Sequence, residues 1–172
     1  MTSRLLVDKI EGKTTAGTVA MPAGHVVQVQ YSTNDASYAS TTANHAAAFA
    51  ATNLDVNITP KFSNSIIKID CLLPFWFHSG LGAEDYFMCT IYRDSTNIGS
   101  GTGGRVALFR SGYADSGNAY NLNETVTFYT FDTPNTTSQI TYKLYVKTYN
   151  GSEVRFIDAG QENTIVATEI AQ

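Results

Sequence analysis

Four groups of residues have types that could do chemistry. Gly99-Ser100-Gly101-Thr102-Gly103-Gly104 fits G-x-G-x-x-G as a string. A dinucleotide site of that kind needs a strand before the glycines and a helix after them, so that phosphate meets a helix N-terminus. Here RVALFR follows, which has strand character, so a loop between strands is the better reading. His78, Glu84 and Asp85 place one imidazole and two carboxylates close together in sequence. Such a set could hold a metal, and an oxygen-rich loop could hold calcium. The three stand at no recognised ligand spacing, and Gly80 and Gly82 loosen the stretch, so a surface loop is expected and no metal or cofactor is implied. His25 and His45 have no acidic or cysteine neighbours.

Cys71 and Cys89 form the third group, each at an apolar position of an expected strand. They could pair if those strands adjoin. Buried free thiols are preferred, because nothing in the sequence routes the chain to an oxidising compartment. For the same reason the Asn-x-Ser/Thr sequons at Asn57, Asn123, Asn135 and Asn150 are read as accidents of composition. No G-x-S-x-G, H-E-x-x-H or C-x-x-C occurs, and the chain is read as a non-enzyme. Carboxylates are numerous enough for a glycosidase pair, but only a fold can set two of them across a cleft.

The fourth group is aromatic. Tyr86, Tyr92, Tyr129, Tyr145 and Tyr149 fall on the face opposite the expected core of their strands, and Tyr113 and Tyr120 sit in a polar loop. Aromatic rings anchor protein interfaces and stack on sugars. They also pair across strands on a solvated face. Both readings of these seven residues stand: an oligomer interface or adhesion surface, and cross-strand packing.

The elements that must position these groups read as strands. Residues 52–73 carry two alternating apolar runs, Leu54-Val56-Ile58 and Ile67-Ile69-Cys71-Leu73, flanking a polar joint at 60–65. A period of two gives one dry and one wetter face. Pro60 lacks an N–H and suits the end of a strand. Further strands are expected at 25–31, 86–94, 105–110, 125–131, 140–148, 153–157 and 163–170. Asn150-Gly151 is the strongest hairpin signal in the chain. Residues 32–52 read as a loop with one helical turn near Asn44 at most, because the Ala-rich stretch lacks an amphipathic stripe. About nine strands with turns between them and no long helices predict an all-β fold, an antiparallel β-sandwich of jelly-roll type.

Composition bounds the rest. At 172 residues the chain is one domain, with residues 25–172 as the sandwich and residues 1–24 as an extended N-terminal segment. That segment has one apolar pulse, Leu5-Leu6-Val7 with Ile10, too little for a core. It is read as a strap that orders on a partner, with a frayed end as the other reading. It has no secretory h-region, and no apolar run approaches the length of a membrane span. Charged residues are only 15%, net charge is −4, and the cations are scattered, which argues against nucleic-acid binding.

The pieces LLVDKIEG with VAMPAGHVVQVQ, LDVNITPKFSNSIIKID, IYRDSTNIGSG, and FDTPNTTSQITYKLYVKTYNG leading to TEIAQ occur in this order along the chain. The arrangement resembles small virion structural or tail-fibre-like proteins of phages of marine bacteria and cyanobacteria. The resemblance covers nearly the whole chain, most weakly over 32–51. It implies a virion protein assembled in the host cytoplasm, with a segment up to Gly24 that docks on the particle through Leu5, Leu6, Val7 and Ile10. The remainder would be a β-sandwich fibre, knob or head-decoration subunit, homotrimeric, touching other virion proteins and a host-surface glycan. A capsid cement protein without receptor binding and a small glycan-cleaving tip enzyme are the alternatives.

Overall fold

The computed structural model describes residues 22–34, 38–40, 48–78, 86–110, 121–149, 153–156 and 161–172. They form eleven strands: β1 (Val26–Asn34), β2 (Tyr38–Ser40), β3 (Ala50–Ile58), β4 (Ile66–His78), β5 (Tyr86–Arg93), β6 (Thr96–Asn97), β7 (Ala107–Arg110), β8 (Asn121–Asp132), β9 (Ile140–Thr148), β10 (Glu153–Phe156) and β11 (Asn163–Ile170). Leu5, Leu6, Val7, Ile10 and the expected helical turn near Asn44 lie outside the described residues.

With the short strands β2, β6 and β10 set aside, the pairing is nested. The first strand pairs with the last (β1 with β11), the second with the seventh (β3 with β9), the third with the sixth (β4 with β8) and the fourth with the fifth (β5 with β7). The chain is therefore one long antiparallel ribbon, doubled back between β5 and β7. Two more antiparallel ladders, β11 to β4 and β9 to β5, roll that ribbon up. The outcome is a sheet ordered β1-β11-β4-β8 facing a sheet ordered β3-β9-β5-β7. A doubled ribbon rolled into two facing sheets is a jelly roll, so the protein is an all-β antiparallel sandwich, as the alternating runs predict.

The alternation places the core. Ile67, Ile69, Cys71, Leu73, Phe75 and Phe77 point inward from β4 and meet Ile140, Tyr142, Leu144 and Val146 of β9, with Phe87, Cys89 and Ile91 of β5 beside them. Burying a side chain of this size is worth about 1.5–3 kcal/mol relative to leaving it exposed. Phe87 centres the aromatic part of the core, 4.8 Å from the ring centroids of both Phe75 and Phe109. Cys71 and Cys89 lie on different sheets and are free, buried thiols, both pushed well above the ordinary thiol range chiefly by burial.

The structure departs from the sequence reading in several places. Residues 32–52, expected as a loop, hold the end of β1, all of β2 and the start of β3. β4 continues beyond Leu73 through Pro74 to His78. Its ladder to β11 ends at Leu72 and its described ladder to β10 begins at Phe75, so Pro74 falls between the two, opposite Thr125 of β8 on its other side. Asn150-Gly151, the expected hairpin turn, lies outside the described residues, and the two strands that it joins do not pair with each other. β9 is flanked by β3 and β5, and β10 pairs with β4 and β2 in the other sheet, so the connection crosses between sheets. Both edges of β9 are already taken, and tertiary pairing overrides the local turn signal.

Buried polar groups tie the sheets together. The Glu169 carboxylate on β11 is fully buried. Its Oε1 accepts from the backbone N–H groups of Lys61 (2.8 Å) and Phe62 (3.1 Å) and from Ser65 Oγ (2.7 Å), and its Oε2 accepts from Gln28 Nε2 (2.6 Å). Asp132, at the end of β8, accepts from Arg93 Nη1 at 2.8 and 2.9 Å and from the Tyr142 hydroxyl at 2.7 Å, linking β8 to β5 and β9. Burial, reinforced by Asp132, pushes the Tyr142 hydroxyl far up from its ordinary pKa.

Two stability predictions follow from this packing. Leu144→Ala is expected to cost about 2–5 kcal/mol, whereas Lys143→Ala is close to neutral, because its 3.3 Å contact with Asp55 is part-solvated. Chemical denaturation of the two variants checks the register; equal small losses would mean the two faces of β9 are exchanged. Glu169→Gln, which replaces one acceptor oxygen with a donor, is expected to cost about 1–3 kcal/mol through a donor left without its acceptor, read as a lower urea midpoint.

Candidate functional site

The outer face of the β1-β11-β4-β8 sheet is the most unusual surface among the described residues. Register fixes its rows. Tyr31, Val166, Asp70 and Tyr129 lie side by side across the four strands, and so do Val29, Thr168, Lys68 and Phe131. Val26 and Ile170 continue the face at one end, and Leu72 with Thr127 and Thr164 lies toward the other. Tyr31 is 72% exposed, Tyr129 61%, Val26 and Phe131 54% and Val29 51%. Large apolar side chains that stay this open, gathered on one face, mark an interaction surface. The only formal charges in these rows are Lys68 and Asp70, paired at 2.7 Å, with the Lys68 amine also 5.2 Å from the Tyr129 ring centroid. Asp70, Leu72, Thr127, Tyr129, Thr164 and Val166 border a shallow groove of about 460 Å³.

This surface was only partly visible in the sequence. Alternation alone sets Val27 and Val29 against Val26, Gln28 and Gln30. A bulge between Val26 and Gln28 breaks that phase, leaving Val26, Val29 and Tyr31 outside and turning Gln28 toward Glu169. Of the tyrosines singled out, Tyr129 alone among the described ones is on this face. The others lie on the second sheet and pair with one another. Tyr92 stacks on Tyr145 at 3.9 Å, and Tyr86 stacks on Tyr149 at 4.6 Å, with the Arg110 guanidinium 5.8 Å from the Tyr86 ring. Tyr86 is buried, and Tyr92, Tyr145 and Tyr149 are half-buried. The five therefore do not form one patch, and Tyr113 and Tyr120 lie outside the described residues.

The other candidate groups take quieter positions. The glycine-rich stretch runs from β6 to β7, both of which pair with β5, and no helix follows it. It folds onto β5: Asn97 accepts from Thr90 Oγ1 (2.6 Å) and from the Gly99 N–H (2.9 Å) and donates to the Gly104 carbonyl (2.9 Å). A Cβ on Gly99 would run into that carbonyl, which explains the glycine without a ligand. His78 sits at the end of β4, with Nδ1 2.8 Å from Asn121 Oδ1 and its ring stacked on Trp76 at 5.6 Å; Glu84 and Asp85 lie outside the described residues. A second groove of about 360 Å³ opens between β7 and β8 over Phe75, Phe77 and Phe87, with Glu124 and Arg110 at its margin. Neither groove brings two carboxylates together among the described residues.

No protein-family model matches the chain, and no curated protein matches it. Among solved structures it is similar to one of the infectious bursal disease virus Gx strain, at 14% identity and a TM-score of 0.32, over 100% of this chain and 43% of that one. It is also similar to the VP2 subviral particle of the same virus, at 16% identity and a TM-score of 0.33, over 84% of this chain and 38% of that one. The chain spans about two fifths of the length of these proteins. At these scores the strand topology, and not the neighbours, defines the class: a jelly-roll protein with an apolar outer sheet face.

The stacked tyrosines give a direct prediction. A double-mutant cycle on Tyr92→Ala and Tyr145→Ala, followed by denaturant unfolding, is expected to show a coupling of about 0.5–1.5 kcal/mol. Additive losses would mean that the stack does not stabilise the isolated subunit.

Proposed function

We propose that this chain is a bacteriophage virion structural protein, a fibre, knob or decoration subunit that assembles as a homotrimer, docks on the particle through its N-terminal segment and presents its sandwich for host-surface adhesion. The observation that carries this reading is the exposed, neutral apolar face of the β1-β11-β4-β8 sheet, a surface suited to a protein whose working form is an assembly. The jelly-roll topology is in keeping with it, since capsid and lectin domains share that architecture. So does the sequence resemblance to phage virion proteins.

Polarity along the sandwich supports the division between base and tip. The two ends of the described chain are tied together: the Gly24 N–H donates to the Ala171 carbonyl at 2.8 Å, and the Ala171 N–H donates to the His25 carbonyl at 2.9 Å. The connections from β4 to β5, β7 to β8 and β9 to β10 leave from the opposite end, as the pairings of His78 with Asn121 and Glu153, and of Phe87 with Thr148, require. A segment preceding β1 thus enters at one end, and three connections are presented at the other. Adhesion in this arrangement uses the far end, where a weak site repeated in three copies gains by multivalency.

Antibody labelling of purified virions, viewed by electron microscopy, is expected to find the protein at a fixed position on the particle. Its absence from virions would overturn the reading. Removing residues 1–24 is expected to leave a folded domain with an unfolding midpoint close to that of the full chain but unable to join particles that lack the protein. Loss of folding would show instead that the segment belongs to the sandwich.

A further inference from the structure

We propose that the β1-β11-β4-β8 face is the contact between copies of this chain, made head to tail. In this contact the aromatic strip on β8 of one copy packs against the Val–Tyr strip on β1 of the next. The inference rests on the preceding reading for its number of copies and goes beyond it by assigning the surface, which is not the tyrosine-rich outer face of the second sheet.

Placement is the first argument. Seven large apolar side chains stand exposed among the described residues, and all but Leu108 lie on this face: Val26, Val29 and Tyr31 on β1, Leu72 on β4, and Tyr129 and Phe131 on β8. The tyrosines of the second sheet are already used within the subunit, two stacked on two.

Charge selects the partner. Lys68 is paired with Asp70 at 2.7 Å, so the formal charges in the described rows of this face cancel, and on the adjoining β10 Arg155 is paired with Glu153 at 2.7 Å. The chain as a whole carries −4. Two copies therefore repel through their net charge and meet most readily where the surface is neutral. An anionic lipid surface or a nucleic acid would need an excess of cations that this face lacks.

Geometry selects the mode. The two strips sit on opposite borders of the sheet, three strand spacings or roughly 14 Å apart, with the Lys68–Asp70 pair between them. They differ in kind: β8 offers two aromatic rings, and β1 offers β-branched side chains beside Tyr31. Unlike patches that complement each other make a heterologous contact, which closes into a ring when the rotation allows. β1 and β8 are also border strands of this sheet, as is β2 beyond β10. A head-to-tail contact brings the β8 border of one copy against the β1 border of the next.

The test is a mixing experiment on the full chain, read by light scattering coupled to size exclusion. The unmodified protein is expected at about 56 kDa, three times the 18.7 kDa chain. Tyr31→Asp and Phe131→Asp should each fall to a single chain mass with an unchanged unfolding midpoint, while Leu108→Asp keeps the assembled mass. Mixed in equal amounts, the Tyr31 and Phe131 variants should form a two-chain species of about 37 kDa, because one junction per pair is intact. A single-chain mass for the unmodified protein, or assembled mass in both strip variants, would overturn the proposal. So would a mixture that stays at one chain mass, the outcome for a face that meets its own symmetry mate. If either Asp variant unfolds, Tyr31→Ser and Phe131→Ser replace them. Single-chain protein whose strip variants lose attachment to particles would assign the face to another virion protein, and that too overturns it. Virion labelling reports on location whichever of these results is obtained, so the virion assignment and the contact fail separately, while the copy number falls with the contact.

Discussion

A buried carboxylate governs how this ribbon rolls. β3 and β4 belong to different sheets, so residues 59–65 must carry the chain across the sandwich within one short turn. Such a crossing strips water from backbone N–H groups that have no strand to pair with, and leaving them unpaired would be costly. Glu169 meets that need. Its oxygens take two backbone N–H groups of the turn, the Ser65 hydroxyl and the Gln28 amide, while Gln28 also donates to the Thr59 carbonyl at 2.7 Å. A buried carboxylate is tolerable only when its lone pairs are filled, and here the polar joint of the chain fills them. β11, β1 and the crossover are thereby fixed to one another, and the last strand can close the sheet against β4.

The same interaction explains the inverted polarity of β1. An edge strand whose inner side looked onto the core would carry valine inward. β1 instead looks onto the crossover and Glu169, so Gln28 faces in, and the bulge after Val26 allows Val26 and Val29 to face out. The exposed apolar strip on β1 is thus a consequence of how the crossover is satisfied, and the protein retains it at the risk of edge association.

Local sequence carried much of the architecture. The runs ending at Ile58 and those beginning at Ile67, Ile140 and Asn163 alternate cleanly because each has one face on a shared core, so their strands and inward residues follow from period two alone. What alternation cannot report is which strand lies beside which. Asn150-Gly151 reads as a hairpin because its chemistry is local, yet β9 is claimed on both sides by strands from elsewhere in the chain. Likewise Tyr92 and Tyr129 look equivalent in sequence, both outward on alternating strands. Only the sheet assignment separates a ring stacked on Tyr145 from one left open beside Phe131. Glu169 was invisible for the same reason: its donors lie more than one hundred residues away in the chain.

Nested pairing has a further effect on where surfaces can arise. Pairing the first strand with the last puts both ends of the sandwich sequence on one border, locked by the reciprocal bonds between residues 24–25 and Ala171. The β8 border lies across the same sheet, formed from the middle of the chain. One sheet therefore presents two chemically different margins that the fold itself cannot bring together, since β11 and β4 stand between them. A second copy can supply to each margin what the first cannot, and the low charge of the face between them removes the main electrostatic obstacle to that approach.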